Sequence, residues 1–432
     1  MSQVKKEEIR AGTEEFRGAR SKPLLECSRL ASVYFKNYFR EVEERAAQGE
    51  PVIWLQVDCP QEICHAMGLP VFYPMHYSAL MAAKQMSPYY LNIQNQRGYF
   101  RDLCRYCGHA LGCVWDHKSE IAPWGGPPKP AAVVVATFDD PIAKVYELFA
   151  REYNVPMFVI DRTMWSNFPS RFWEDPEIEP HRLEWEVEQY EGLIAFLETI
   201  TGKTLTETKL RQVVDSSNQQ FGYFIKAMNM VAGTVPCTIT VADHMPNLIC
   251  TNYFRGTEWA LEHARRFYEE IKERVGKGLV ACENEKIRLG WEGAAPWFSP
   301  GFLNAFEEKY GAVFVWLGYI TGLENFVRLN YSDPLTALAS RYLEYLAWVS
   351  HFPPTACSYY LHMAKKYKLN GFVFLVAESC KALTASMRFI QRELQAAGIA
   401  TTEITGDIVD AREWDDTKAR SQVASWIETL LT

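Results

Sequence analysis

Apolar and polar positions along this chain switch between two periods. From Cys27 to Ala46 apolar residues recur at helical spacing and the run ends on a charged surface, so residues 1–50 read as a helical N-terminal segment. A β-rich run, Pro51-Val-Ile-Trp-Leu-Gln-Val57, follows and leads into Asp58-Cys59-Pro60. Ala131-Ala-Val-Val-Val-Ala-Thr137 is a continuous apolar run of strand length; a helical pattern from Ile142 to Asn154 and a second strand, Val155 to Ile160, come after it. Strand, helix and strand within ~30 residues predict a parallel βαβ unit.

Between 181 and 280 the pattern is helical: Arg182 to Ile200 ends at Gly202, and Thr206 to Met230 and Thr257 to Val275 each open on a threonine suited to cap a helix. Strand signals return at Lys286–Leu289, Ala312–Leu317 and Gly371–Val376, separated by helical patterns at 334–350, 356–367, 381–397 and 417–431. The chain therefore reads as α/β, with two Rossmann-like parallel-sheet lobes. Its expected parts are a helical N-terminal segment at 1–50, a first lobe at 51–180, a helical connection at 181–282 and a second lobe at 283–432. No fixed-period repeat is visible, and Pro123–Pro130 is the clearest linker. In open α/β sheets ligands bind beyond the carboxyl ends of the strands. Three polar or thiol-bearing segments fall there: Asp58-Cys59, Phe138-Asp139-Asp140 and Glu378-Ser379-Cys380.

Composition narrows the field. The 432 residues are 48% hydrophobic and 23% charged, enough for a large core, and the net charge of −8 argues against a general nucleic-acid binder. No window approaches the ~18 uninterrupted apolar residues of a membrane span, and the N-terminus is too charged for a signal peptide. The expectation is a cytoplasmic protein with neither nucleic-acid nor membrane partners.

The 11 cysteines ask for an explanation in a reducing compartment, where the alternatives are buried apolar thiols and metal ligands. Cys104 and Cys107 form a CxxC pair, a spacing that can grip zinc or an iron–sulfur cluster. Cys380 follows a fully apolar strand and precedes a helix, a position that suits a thiolate ligand. Cys27, Cys237, Cys250, Cys282 and Cys357 lie in apolar or irregular contexts and read as core. Glu62 and His65, three residues apart on one face of the helix that begins near Pro60, are candidates for proton transfer, as is His76. The aromatic content of 13 Trp, 22 Tyr and 24 Phe leaves open a pocket for a flat substrate around Trp165, Trp291, Trp297 and Trp316, beside the plainer reading that most are core.

Four stretches in shared order resemble the benzoyl-CoA reductase / 2-hydroxyacyl-CoA dehydratase family. They are Cys59-Pro-Gln-Glu-Ile-Cys-His-Ala-Met-Gly68; Val71-Phe-Tyr-Pro74 leading to Gly98-Tyr-Phe-Arg-Asp-Leu-Cys-Arg-Tyr106; the βαβ unit ending Tyr153-Asn-Val-Pro-Met-Phe-Val-Ile-Asp161; and Asn370-Gly-Phe-Val-Phe-Leu-Val-Ala-Glu-Ser-Cys380 with Gly406-Asp-Ile-Val-Asp410 and Arg420. The resemblance implies a [4Fe-4S] cluster held by cysteines from three segments. Cys104 and Cys380 match two of them. The third falls in the loop Thr137-Phe-Asp-Asp-Pro141, so Asp139 or Asp140 replaces the thiolate, or Cys107 or Cys59 supplies it from elsewhere, or this subunit's cluster is of an unusual kind. Glu62 matches the family's carboxylate position, and His76 stands where the family often has Asn or His.

The resemblance further implies an acyl-CoA substrate, a homologous second subunit in a pseudo-symmetric heterodimer, and an iron–sulfur activator that hydrolyses ATP. No Walker A or dinucleotide fingerprint occurs here, so the nucleotide belongs to that partner. The leading expectation is a benzoyl-CoA reductase-type subunit reducing an aromatic acyl-CoA ring through radicals. The alternatives are a 2-hydroxyacyl-CoA dehydratase subunit and a non-catalytic electron-transfer or scaffold subunit.

Overall fold

Cys27, Ala31, Phe35, Phe39 and Val42 recur every three or four residues and form the buried stripe of the first helix, α1 (Glu26–Ala47), in the computed structural model. The structure describes residues 24–100, 103–117, 120–137, 140–162, 178–318, 332–349 and 353–432.

The first lobe contains β1 (Ile53–Leu55), α2 (Gln61–Ala66), β2 (Val71–Phe72), α3 (Pro74–Ala83), α4 (Ser87–Gln96), α5 (Arg105–Asp116), β3 (Ala132–Ala136), α6 (Asp140–Tyr153) and β4 (Met157–Ile160). Its sheet is parallel in the order β2-β1-β3-β4, with Ile53 opposite both Val71 and Ala132, and Val133 opposite Met157. All five residues of β3 are buried, as its unbroken apolar run requires of a strand covered on both faces. Residues 1–23, expected to be helical, lie outside the described part.

The helical connection comprises α7 (Pro180–Thr201), α8 (Glu207–Gly233) and α9 (Glu258–Gly276). Its start signals act as expected: the Thr206 hydroxyl accepts from the Lys209 amide and the Thr257 hydroxyl from the Ala260 amide. Gly202 ends α7 at φ +68°, a left-handed conformation that glycine adopts without a Cβ penalty.

The second lobe has β5 (Ile287–Glu292), β6 (Ala312–Leu317), α10 (Pro334–Val349), α11 (Pro353–Tyr367), β7 (Gly371–Ala377), α12 (Met387–Ala396), β8 (Ala400–Gly406) and α13 (Asp416–Leu431). Its parallel sheet runs β6-β5-β7-β8, so the two lobes share one strand order despite the absence of a sequence repeat. In each sheet the order reverses between the first and third strands of the lobe, which places a ligand crevice beyond β1/β3 and beyond β5/β7. Two strands escape the pattern of apolar runs: β2 is two residues long, and β8 is a largely polar, half-exposed edge. The helix expected at 381–397 divides into Lys381–Thr384 and α12. Among the described residues no helix is long and apolar enough to cross a membrane.

Candidate functional site

Glu62 sits in the first turn of α2 and is fully buried. Its carboxylate accepts from Arg341 Nη1 at 2.6 Å, Ser217 Oγ at 3.1 Å and Tyr342 Oη at 2.9 Å, and Arg255 Nε lies 3.7 Å away. These partners come from α8, α10 and the turn before α9, so the cluster joins the first lobe to the helical connection and to α10. Burial alone pushes the Glu62 carboxyl up, but Arg255 and Arg341 outweigh it and hold it below the usual carboxylate range. Arg255 also donates to Tyr342 Oη at 2.6 Å and to the Val57 carbonyl at 2.8 Å. Alongside runs a second buried pair, Arg162–Glu186 at 3.0 Å, and the guanidiniums of Arg162 and Arg255 each lie 5.1 Å from the Tyr342 ring centre.

His65 points elsewhere: its Nδ1 is 2.9 Å from the Arg255 carbonyl oxygen and its Nε2 3.5 Å from Tyr73 Oη. Burial lowers its pKa. Glu62 and His65 thus share a helix but meet different groups of Arg255, the guanidinium for Glu62 and the backbone carbonyl for His65.

Cys104 is the residue that caps the start of α5, and Cys107 is buried on the first turn of that helix. Cys380 caps Lys381–Thr384 beyond the carboxyl end of β7. The neighbours of Cys104 and Cys380 meet on one side chain: Asp407 Oδ2 accepts from Arg105 Nη1 at 3.1 Å and from Ser379 Oγ. Asp407 itself is fixed by the amides of Val409 and Asp410, both 2.9 Å from its Oδ1. Asp139 falls outside the described residues, and the side chain of Asp140 does too. Among the described residues no group of three or more His, Cys, Asp or Glu side chains is arranged to hold a metal ion. Cys59 and Cys64 are fully buried, and burial pushes the Cys59 thiol up and the Cys64 thiol to about 12.

Beside this region lies a cavity of about 320 Å³. His76 and Leu80 on α3, Tyr106 on α5, Met245, Trp297 and Leu303 form much of its wall, and no Lys, Arg, Asp or Glu is among the described residues that line it. Tyr106 is two residues from Cys104. The loop that carries Trp297 is held by its amide on the Ile408 carbonyl at 3.1 Å, next to Asp407. The cavity therefore shares its framework with the two cysteine segments. His76 packs on Phe35 and Tyr253, its Nδ1 makes no hydrogen bond, and burial lowers its pKa to about 3, so the imidazole is neutral.

A further titratable group stands at the carboxyl end of β5. Glu292 is buried against Tyr360, and burial raises its pKa to about 7.

Sequence reasoning found the cysteines, Glu62, His65 and His76 as residues. It missed Arg255, Arg341, Tyr342 and Glu292, which carry no local motif. Asp407 lay within a noted segment without a role.

A family model described as 2-hydroxyglutaryl-CoA dehydratase, D-component, matches residues 56–430. The (R)-2-hydroxyisocaproyl-CoA dehydratase alpha subunit of Clostridioides difficile is 24% identical over 407 residues, which span 93% of this chain and 94% of that protein. The lactoyl-CoA dehydratase subunit alpha of Anaerotignum propionicum is 22% identical over 420 residues (94% and 97%), and the (R)-phenyllactyl-CoA dehydratase alpha subunit of Clostridium sporogenes 24% over 415 (92% and 95%). These similarities overturn the expectation of a benzoyl-CoA reductase acting on an aromatic ring and favour the dehydratase alternative. The structure supplies a physical reason: Trp291 and Trp316, which suggested an aromatic pocket, are fully buried in the core against Phe302, Phe314 and Tyr360. Trp165 lies outside the described residues, which leaves Trp297 alone of the four on the cavity wall.

Proposed function

This chain belongs to the 2-hydroxyglutaryl-CoA dehydratase, D-component family, and on that premise we propose that it is the alpha-type subunit of a 2-hydroxyacyl-CoA dehydratase. The reaction would remove the 2-hydroxyl and a hydrogen from C3 of a CoA thioester as water, leaving a 2-enoyl-CoA. The family match across residues 56–430 carries this reading. The cavity beside the Cys104 and Cys380 segments is its proposed acyl-binding space.

Cys104 and Cys380 would hold an iron–sulfur cluster together with a ligand from the loop after β3 or from Cys107, and Asp407 would keep the two thiol-bearing segments in register. When bound, such a cluster supplies a single low-potential electron for an elimination that an unactivated C3–H bond otherwise resists. The chain's own contribution is a largely apolar cavity wall and a neutral His76 imidazole on it, placed to exchange a proton with the departing hydroxyl or with C3. A homologous second subunit and an ATP-hydrolysing activator complete the proposed system.

The test is anaerobic. The chain, purified with its companion subunit, is given an activator of this family, ATP and 2-hydroxyacyl-CoA thioesters, and 2-enoyl-CoA formation is followed. No enoyl-CoA from any thioester would overturn the proposal. Turnover that survives Cys104→Ala would assign this chain a scaffolding role instead.

A further inference from the structure

The cavity carries information about the acyl group. Its volume of about 320 Å³ is many times what a single water molecule needs. That accommodates a branched or phenyl-bearing acyl chain. Along its described wall, Ala79, Leu80, Ala83, Met245 and Leu303 present only hydrocarbon and a thioether. The polar side chains among the described residues that line it are the hydroxyls of Ser32, Ser299, Tyr106 and Tyr253, the Trp297 indole and the neutral His76 ring; Ser299 Oγ donates to Asp416 Oδ1 at 2.9 Å.

From this wall we infer that the enzyme selects uncharged, apolar acyl groups and rejects 2-hydroxyacyl chains that end in a carboxylate. The inference rests on the dehydratase reading and on this cavity as the acyl site. A terminal carboxylate moved from water into the cavity would give up part of its hydration and meet no Lys or Arg among the described residues that line it. His76 cannot supply one, because it sits among Phe35, Tyr253 and the apolar wall, with no acidic side chain among the described residues lining the cavity to stabilise its protonated form. An isobutyl or benzyl side chain gains from the same surroundings. Leu80 and Ala83 stand one turn apart on α3 at the edge of the cavity, where Leu80 is half-buried and Ala83 exposed, so side chains there can change without entering the core.

The complex of this chain with its companion subunit is assayed with 2-hydroxyisocaproyl-CoA, 2-hydroxyglutaryl-CoA and lactoyl-CoA. The expected kcat/KM for the isocaproyl thioester is about a hundredfold above that for the glutaryl thioester, the size of discrimination that pocket chemistry commonly supplies. Leu80→Arg should narrow that ratio by at least about tenfold by offering the missing cation, and Ala83→Trp should lower isocaproyl turnover more than lactoyl turnover by filling the space. Calorimetric binding of isocaproyl-CoA and glutaryl-CoA to the same complex reads the preference without turnover. Equal or better use and binding of the glutaryl compound by the wild-type complex overturns the inference while leaving the dehydratase reading intact. Failure to dehydrate any thioester defeats that reading, and the binding ratio then still decides the preference of the cavity.

Discussion

Glu62 and Arg341 are 279 positions apart in the chain and meet in the interior at 2.6 Å, both with side chains at most 2% exposed. A carboxylate placed there has lost its water entirely, so its partners must replace the hydration shell. Arg341, Ser217 and Tyr342 do so by hydrogen bonds, and Arg255 adds its charge from 3.7 Å. The pair contributes less by its own strength than by what its removal would leave behind.

Glu62→Gln leaves two guanidiniums facing a neutral amide. Breaking a buried pair in this way costs about 3–5 kcal/mol, and the expected outcome is a chemical denaturation midpoint lowered to match. Arg341→Met should be similarly harmful because it removes one of the two cations that balance Glu62 and the hydrogen bond to the Asn218 side-chain oxygen. If Glu62→Gln instead keeps full stability and loses turnover, Glu62 works in proton transfer and not as a clamp.

Arg105 and Ser379 share Asp407, so if Cys104 and Cys380 hold a cluster as proposed, iron retention should depend on a residue that is no ligand. Asp407→Asn weakens both contacts and takes that counter-charge away from the buried Arg105 guanidinium. The anaerobically purified variant is expected to hold less iron per chain than wild type. Cys104→Ala and Cys380→Ala should each abolish the iron and its paramagnetic resonance signal, while Cys357→Ala, on α11, should retain both. Wild-type protein without iron would remove the basis for a cluster.

What could be read from the sequence follows the physics of burial. β3 announces itself because a strand covered on both faces must be apolar throughout, whereas β8, Ala400-Thr-Thr-Glu-Ile-Thr-Gly406, pairs on one side only and leaves polar residues half-exposed. Threonine caps and the left-handed Gly202 are local signals and were legible for that reason. Glu62 was visible as a carboxylate, but Ser217, Arg255 and Arg341 reach it from 155 to 279 residues away, and no local pattern encodes that meeting. The choice between ring reduction and water loss was beyond motifs that both reactions share in one fold. The tryptophans misled because a buried Trp in a sheet core and a Trp on a pocket wall look alike in one dimension.

Gly108 and Gly112 on α5 allow α4 to come close. A Cβ at Gly112 would stand 2.1 Å from the Tyr90 carbonyl oxygen, which is backbone and cannot swing aside; one at Gly108 would meet the end of the Gln94 side chain. Gly112→Ala should therefore cost roughly 1–3 kcal/mol through overpacking, measured as a lower thermal midpoint. Because Cys104 caps the start of α5, the same variant should also reduce the iron held by the proposed cluster site. Gly108→Ala, opposed by a side chain able to move, should do less on both measurements.

Glu292 gives a test in pH. Its pKa is near 7 in the folded chain because burial disfavours the anion, while in the unfolded chain it lies near the ordinary ~4.3. Between those values the unfolded state sheds its proton first, so wild-type stability falls as pH rises from about 4.3 toward 7 and this contribution levels off above. A tenfold change in proton affinity is worth about 1.4 kcal/mol, so the loss across that pH range amounts to roughly 3 kcal/mol. Glu292→Gln keeps the shape of the side chain and a polar group beside Tyr360 but cannot ionise. Its stability relative to wild type should therefore climb between pH 5 and pH 7 and plateau by pH 8, read from denaturation midpoints across that range. A stability difference that stays flat with pH would mean that Glu292 remains ionised in the fold, held by a partner strong enough to overcome its burial.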